Sequence, residues 1–212
     1  MKLLLTAFEP FANEPINSSL EVARAVVRRG VPGAAVTLLA LPVVRYLCVE
    51  RALVAIDRLR PELIIALGQA GSRSQITPER VALNVDDFEL VDNAGNQPFD
   101  EPAIPGAPAA YFCHLPVRRM VERLRAAEIP AAVSNTAGTF VCNHLTFGLL
   151  HHIATQGLPV RAGFIHVPYL TEQAAGKSAD TPGLSLEVMV RGISLCLKTA
   201  LATESQYRER VG

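Results

Sequence analysis

The feature that most constrains the fold is a short, uninterrupted apolar run, Leu63 to Leu67 (LIIAL). A strand that is apolar on both faces fits the centre of a parallel sheet covered by helices on both sides. Along most of the chain, apolar runs bounded by turn residues alternate with segments of helical period, which is typical of an α/β domain. The sequence therefore predicts an α/β fold built around a buried strand at 63–67.

The same pattern places the other elements. Further strands are predicted at Leu3–Phe8, Val36–Val43, about Ala131–Ser134 and Ala162–Val167, with extended pieces at Arg80–Val85 and Phe88–Val91. Helices are predicted from Ser18 (capped by Ser18 and Ser19) to about Arg29, Leu47–Arg60, Val117–Ala127, Asn143–Gln156, and from Thr181-Pro182 to about Ala202. The remainder of 68–116 is irregular, and long irregular stretches are more often functional than idle. Its proline-rich piece, Pro102–Pro108, is interpreted either as a subunit contact or as an ordinary surface loop.

Composition narrows the class of protein. With 212 residues, half of them hydrophobic, residues 1–212 are expected to form one domain with a substantial core. Basic and acidic residues number 20 each, so no electrostatic footprint for nucleic acid or an anionic membrane is expected. The four cysteines form no Cys-x-x-Cys pair, and no apolar run is long enough to span a bilayer. The N-terminus lacks a secretory signal pattern, so a cytoplasmic protein with reduced thiols is expected.

One cysteine stands out by its position. A turn of small residues within Ser134 to His144 (SNTAGTFVCNH) brings Cys142 to the first turn of a predicted helix. The partial positive charge at a helix N-terminus stabilises a thiolate, the reactive form of cysteine. Cys142 is therefore a candidate nucleophile, and the alternative is a buried, inert thiol.

A nucleophile of this kind needs a base. His166 ends a predicted strand 24 positions after Cys142, so one helix and one connection separate the two. In a parallel α/β sheet this topology returns the chain to the same edge, where ligands gather. The alternative is a packed histidine with both ring nitrogens satisfied. The remaining histidines, on a loop or along the helix, are weaker candidates: His114, His144, His151 and His152.

Two further motifs carry weaker signals. Gly68 and Gly71 follow the central strand and permit a tight turn with close approach of a ligand. The same pattern is also compatible with a phosphate site. Glu79 precedes an extended stretch and is either partly buried at the sheet edge or an ordinary exposed glutamate. Phe8 and Phe11 either line a small apolar pocket or pack in the core.

In their order along the chain, these motifs resemble those of pyroglutamyl peptidase type I (pyrrolidone-carboxylate peptidase), a family of cysteine peptidases. The matching segments are Thr6 to Phe11, Gly68 to Asn84, Ser134 to Asn143 and Ile165 to Pro168. The resemblance implies a single-domain, three-layer α/β/α sandwich with a mixed, mostly parallel central sheet, similar to phosphorylase/hydrolase folds. It also implies removal of an N-terminal pyroglutamyl group from peptides, no metal or cofactor, and a homotetramer.

By the same resemblance, Cys142 is the nucleophile, His166 the acid/base and Glu79 the residue that orients the histidine. The residues that line or support the pyroglutamate pocket are Phe8, Phe11, Asn17, Gln69, Phe140 and Val141. The chain departs from the family pattern at Ala7, Ser18, Ser72 and Glu89. Relatives often carry arginine in place of Glu89, so that position has a reversed charge near the pocket.

Three other functions fit parts of the sequence. A different cysteine amidase would require an acidic or carbonyl-rich pocket for a free amino group, which phenylalanines do not supply. A phosphate binder would use Gly68 to Arg73 and leave Cys142 and His166 without a role. A non-enzymatic binding module would predict no sensitivity to thiol reagents beyond steric block.

Overall fold

The computed structural model describes residues 1–211, with side chains described for 1–202. In chain order the strands are β1 (Lys2–Phe8), β2 (Ala35–Leu41), β3 (Leu63–Gln69), β4 (Thr77–Pro78), β5 (Val81–Leu83), β6 (Ala110–Phe112), β7 (Arg161–Val167), β8 (Tyr169–Leu170) and β9 (Gly183–Leu184). The helices are α1 (Ser18–Arg29), α2 (Leu47–Leu59), α3 (Val117–Ala126), α4 (Val141–Thr155), α5 (Thr171–Ala175) and α6 (Leu186–Val211).

The central sheet is mixed and mostly parallel. Its strands lie in the order β2-β1-β3-β7-β4. The first four are parallel to one another, and β4 runs antiparallel to β7. Two small ribbons, β5-β6 and β8-β9, stand beside it. Because β1, β3 and β7 occupy the middle, the loops at their carboxyl ends meet at one edge.

Helices cover both faces of this sheet. Along β1, Leu3 and Leu5 belong to the core shared with α1, α3 and α6, whereas Leu4 and Phe8 belong to the core shared with α2 and α4. Alternate residues of a strand point to opposite faces, so a continuous apolar strand supplies both cores. All seven residues of β3 are buried. The predicted three-layer α/β/α architecture is confirmed.

Several predicted boundaries were wrong. The predicted strand at 88–91 is irregular, and the unpredicted β6 is the partner of β5. Around 131–134 there are only isolated bridges to the segment that carries β4. The last helix begins at Leu186 because Gly183 and Leu184 pair with β8 instead. These misses all concern short segments, whose pairing or lack of pairing is not visible in local sequence patterns.

The cap of α1 also differs from the prediction. Asn17, not Ser18 or Ser19, is the N-cap, and its side-chain oxygen accepts from the Ser19 N–H at 3.0 Å. The Ser18 hydroxyl donates instead to the Pro168 carbonyl at 2.7 Å. This bond ties the start of α1 to the end of β7, next to the edge at which the loops meet.

Candidate active site

The candidate nucleophile and base meet at the end of β3. Gly68 lies opposite His166 in the parallel pairing of β3 with β7. A Cβ placed on Gly68 would lie 3.0 Å from Cys142 Sγ and 2.6 Å from the Phe164 ring. Glycine is therefore required here, because a side chain would collide with the groups that converge on this point.

Cys142 lies in the first turn of α4, as predicted, although the helix begins at Val141, two residues before the predicted Asn143. The expectation of a stabilised thiolate was wrong for the free site. Burial raises the pKa of the Cys142 thiol to about 12; the Glu79 carboxylate adds to this rise, and Arg73 opposes it. At neutral pH the free thiol therefore keeps its proton, and it needs a base to lose it.

His166 is held by a buried carboxylate. Its Nδ1 lies 2.7 Å from Oε1 of Glu79, which is fully buried. Burial by itself would raise the pKa of Glu79, but the hydrogen bond and charge of His166, with the charge of Arg73, bring it below its ordinary value. An ionised Glu79 only accepts hydrogen bonds, so Nδ1 of His166 carries the proton.

The second ring nitrogen of His166 is left available. Burial lowers the pKa of His166, and although the hydrogen bond and charge of Glu79 raise it, the pKa stays below its ordinary value. The ring is therefore neutral near pH 7, with Nε2 as a proton acceptor. Nε2 has no hydrogen-bond partner among residues 1–202, whose side chains are described.

Arg73 completes this group, and sequence reasoning did not assign it there. Its guanidinium contacts Glu79 Oε1 and the Thr77 hydroxyl at 2.5 Å each, and the Thr136 carbonyl at 3.1 Å. These bonds fix the loop between β3 and β4 and balance the buried carboxylate. Its signals in the sequence were its place in the matching segment from Gly68 to Asn84 and its position six residues before Glu79.

A cavity of about 390 Å³ opens over Cys142 and His166. All six residues predicted to line or support the pocket contribute to its wall: Phe8, Phe11, Asn17, Gln69, Phe140 and Val141. Glu79 is not among the lining residues, because it lies behind His166. The small residues Ala137 and Gly138, in the turn before Cys142, also line the cavity. Sequence reasoning missed other members of the wall: Val43, Ser72, Asp87, Leu90 and Thr139. Glu89, whose role the sequence left open, also lines the cavity.

Aromatic rings form much of the cavity wall. The Phe140 ring centre lies 6.1 Å from that of Phe11 and 4.7 Å from that of Phe88, in an edge-on contact. Phe8 is only 2% exposed and packs against Phe164, so it belongs to the core and to the cavity wall at once. The cavity therefore favours a flat, apolar group.

Gln69 supplies a directed donor to this cavity. Its side-chain oxygen accepts from the Ser18 backbone N–H at 2.8 Å and from Gln173 at 3.1 Å. A backbone N–H only donates, so the amide oxygen is fixed on that side and the NH₂ group on the other. That NH₂ has no hydrogen-bond partner within the described side chains, and Gln69 is only 8% exposed.

Asn17 contributes differently. Its oxygen accepts from the Ser19 N–H and hydroxyl, and its NH₂ donates to the Glu9 carbonyl at 3.1 Å. Both ends of the amide are thus bonded to protein. Asn17 holds the loop that carries Phe11, whereas Gln69 is the amide with a donor left for a ligand.

A carboxylate-held neutral histidine and a cysteine at a helix start, sharing one cavity at the carboxyl edge of the sheet, define a cysteine hydrolase. Comparisons with known proteins specify which one. The family model described as pyroglutamyl peptidase (peptidase family C15) matches residues 1–203. The chain belongs to the pyroglutamyl peptidase family.

Individual relatives agree over the whole chain. A pyrrolidone-carboxylate peptidase of Vibrio vulnificus is 46% identical, covering 100% of this chain and 98% of its own. A pyrrolidone-carboxylate peptidase of Cupriavidus necator is 49% identical, covering 99% of this chain and 97% of its own. The crystal structure of pyroglutamyl peptidase I from Bacillus amyloliquefaciens has a TM-score of 0.88 at 44% identity, covering 95% of this chain and 97% of its own. The structure of the pyrrolidone carboxyl peptidase from Thermococcus litoralis has a TM-score of 0.92 at 37% identity, covering 97% of this chain and 95% of its own.

Two observations bear on the other expectations. Within residues 1–202, no three His, Cys, Asp or Glu side chains are grouped so as to hold a metal ion. In the described part of the chain, no helix has the length and apolar character needed to cross a membrane.

Proposed function

We propose that this protein removes the pyroglutamyl group from the N-terminus of peptides, with Cys142 as nucleophile, His166 as acid/base and Glu79 as the group that orients His166. The observation that carries the proposal is the hydrogen-bonded Glu79–His166 pair, 2.7 Å apart, behind a cavity that also contains Cys142. Family membership supplies the reaction class, and the cavity supplies the fit to the substrate.

In this mechanism the neutral His166 takes the thiol proton as Cys142 Sγ attacks the carbonyl carbon that follows the pyroglutamyl ring. His166 then gives that proton to the departing amine, which leaves as the new N-terminus of the shortened peptide. Water, deprotonated by His166, hydrolyses the thioester and releases pyroglutamate. Because burial raises the pKa of Cys142 to about 12, proton transfer to His166 accompanies the attack.

Recognition follows from the cavity wall. A pyroglutamyl ring is a flat, neutral lactam without a free amine, and phenylalanine faces suit it. The NH₂ of Gln69 would donate to the lactam carbonyl, since its own oxygen is bonded to Ser18 and Gln173. Backbone N–H groups in the first turn of α4, where Cys142 lies, would stabilise the oxyanion.

The alternatives from the sequence find less support. A phosphate site at 68–73 would use Arg73, but that guanidinium is bonded to Glu79, Thr77 and Thr136. An amidase that binds a free amino group would need acceptors deep in the cavity. The deep polar groups, His166 and Gln69, instead present one acceptor for the thiol proton and one donor.

The test is release of aminocoumarin from a pyroglutamyl-aminocoumarin substrate by wild type, Cys142→Ala and Cys113→Ala. Cys113 is the matched control, because it is a partly buried free thiol that does not line the cavity. We expect Cys142→Ala to lower kcat by at least about 10³-fold and Cys113→Ala to retain turnover. Turnover that survives Cys142→Ala, or equal hydrolysis of glutaminyl and prolyl analogues, would contradict the proposal.

Two further expectations stay predictions. The family resemblance implies a homotetramer, which sedimentation velocity would measure as about four times the 22.8 kDa chain. A cytoplasmic location likewise stays a prediction, which cell fractionation would test.

A further inference from the structure

The cavity has a buried floor and an exposed rim. The floor holds Phe8, Gln69, Val141 and His166, none more than 8% exposed. The exposed lining residues form the rim: Ser72, Asp87, Glu89, Leu90 and Gly138. A ring bound on the floor, with its carbonyl at Cys142, directs the rest of the peptide toward the rim.

The rim is acidic. Asp87 and Glu89 line the cavity, whereas no lysine or arginine does. Neither carboxylate forms an ion pair with any described side chain. The whole chain has zero formal charge, so this local excess of two negative charges is a property of the rim and not of the protein.

The backbone holds Asp87 close to the nucleophile. The Asp87 N–H donates to the Thr139 carbonyl at 3.2 Å, and the Thr139 hydroxyl donates to the Asp87 carbonyl at 2.6 Å. Thr139 lies three residues before Cys142. The Gln97 side chain bonds the carbonyls of Phe88 and Glu89 at 3.3 and 3.4 Å, which fixes the segment that carries both carboxylates.

Nearby cations are already paired. Arg45 is bonded to Asp86 and Glu101, each at 2.8 Å, and Arg73 to Glu79. Neither guanidinium pairs with Asp87 or Glu89. A cationic group of the substrate would therefore meet two carboxylates that have no partner of their own in residues 1–202.

We infer that the enzyme discriminates among pyroglutamyl peptides by charge, and that Asp87 and Glu89 favour lysine or arginine over glutamate or aspartate directly after the pyroglutamyl group. The inference rests on the proposed function. Exposed carboxylates contribute modestly to the interaction free energy with a charged substrate, and salt screens them. The expected preference is therefore several-fold and weakens at high ionic strength.

The experiment compares kcat/KM for pyroglutamyl-Lys-Ala, pyroglutamyl-Gln-Ala and pyroglutamyl-Glu-Ala at low and high salt. Wild type is expected to prefer lysine over glutamate by roughly three- to tenfold at low salt, with glutamine between them. In Asp87→Asn/Glu89→Gln this ratio should approach one. The matched control is Glu50→Gln/Asp57→Asn, which removes two exposed carboxylates on α2, away from the cavity, and should keep the wild-type ratio.

The ratio is taken within each variant, so changes in overall rate cancel. Equal rates for the three peptides in wild type, or a lysine preference that survives Asp87→Asn/Glu89→Gln, would overturn the inference while leaving the proposed function intact if pyroglutamyl-aminocoumarin is hydrolysed. Failure to hydrolyse any pyroglutamyl substrate would overturn the proposed function, and the inference with it.

Discussion

Two buried histidine–carboxylate pairs in this molecule have almost the same internal geometry. His166 Nδ1 is 2.7 Å from Glu79, and His144 Nδ1 is 2.8 Å from Asp86. Each carboxylate also accepts from an arginine, Arg73 for Glu79 and Arg45 for Asp86. By these contacts alone, either pair qualifies as the acid/base half of a catalytic site.

The difference is what the other ring nitrogen faces. Nε2 of His144 accepts the Tyr46 backbone N–H at 3.1 Å, so both its nitrogens are satisfied. Nε2 of His166 faces the cavity that contains Cys142. His144 thus joins the loop before α2, the cavity-lining loop and α4, while His166 is free to move a proton. A carboxylate orients a histidine; an open second nitrogen is what allows it to act as a base.

The largest expected effect separates the two carboxylates by activity. Glu79→Gln removes the charge that fixes the His166 tautomer, and kcat is expected to fall by about 10² to 10⁴-fold with the fold retained. Steady-state kinetics and circular dichroism would measure this. A Glu79→Gln enzyme with near wild-type kcat would remove Glu79 from the mechanism.

The second prediction concerns stability. Asp86→Ala leaves the mostly buried Arg45 and His144 without their shared partner and is expected to cost about 3 kcal/mol of unfolding free energy. Urea denaturation would measure it. If the folded Asp86→Ala protein instead lost as much kcat as Glu79→Gln at unchanged stability, the contrast between the pairs would be wrong.

The third prediction concerns pH. Protonated His166 cannot accept the thiol proton, and its pKa lies below 6.5, so kcat/KM should be retained above that value and lost as pH falls through the lowered pKa. In Glu79→Gln the carboxylate charge that raises this pKa is gone, and the acid limb should move to lower pH. An acid limb of the kcat/KM profile that lies above pH 6.5, or one that does not move in Glu79→Gln, would contradict this account.

The smallest expected effect tests whether the distance between two charged groups alone sets their contribution to the free energy of unfolding. Glu21 and Arg24 on α1 are 2.8 Å apart, like His144 and Asp86, but both are substantially exposed. Glu21→Gln should therefore change the free energy of unfolding by less than about 0.5 kcal/mol, measured beside Asp86→Ala in the same urea series. A loss of stability comparable to that of Asp86→Ala would mean that burial is not what distinguishes the Glu21–Arg24 pair from the His144–Asp86 pair.

The sequence determined the elements that depend on local patterns. The apolar run at 63–67 predicted the central strand, and the small-residue turn before Cys142 predicted a helix from Asn143, two residues after the observed start at Val141. The ordered motifs also indicated the residues that converge on the cavity, since the carboxyl ends of parallel strands meet at one edge.

Only the tertiary structure decided which polar atoms are engaged. Arg73 pairs with Glu79, Asn17 is bonded to protein through both ends of its amide, and Gln69 keeps a free donor. The difference between His144 and His166 likewise rests on a single backbone N–H, that of Tyr46, 98 positions from His144. Helix and strand periods are local properties that a sequence displays. A hydrogen-bond partner depends on how distant segments pack, so it becomes visible only when the chain is folded.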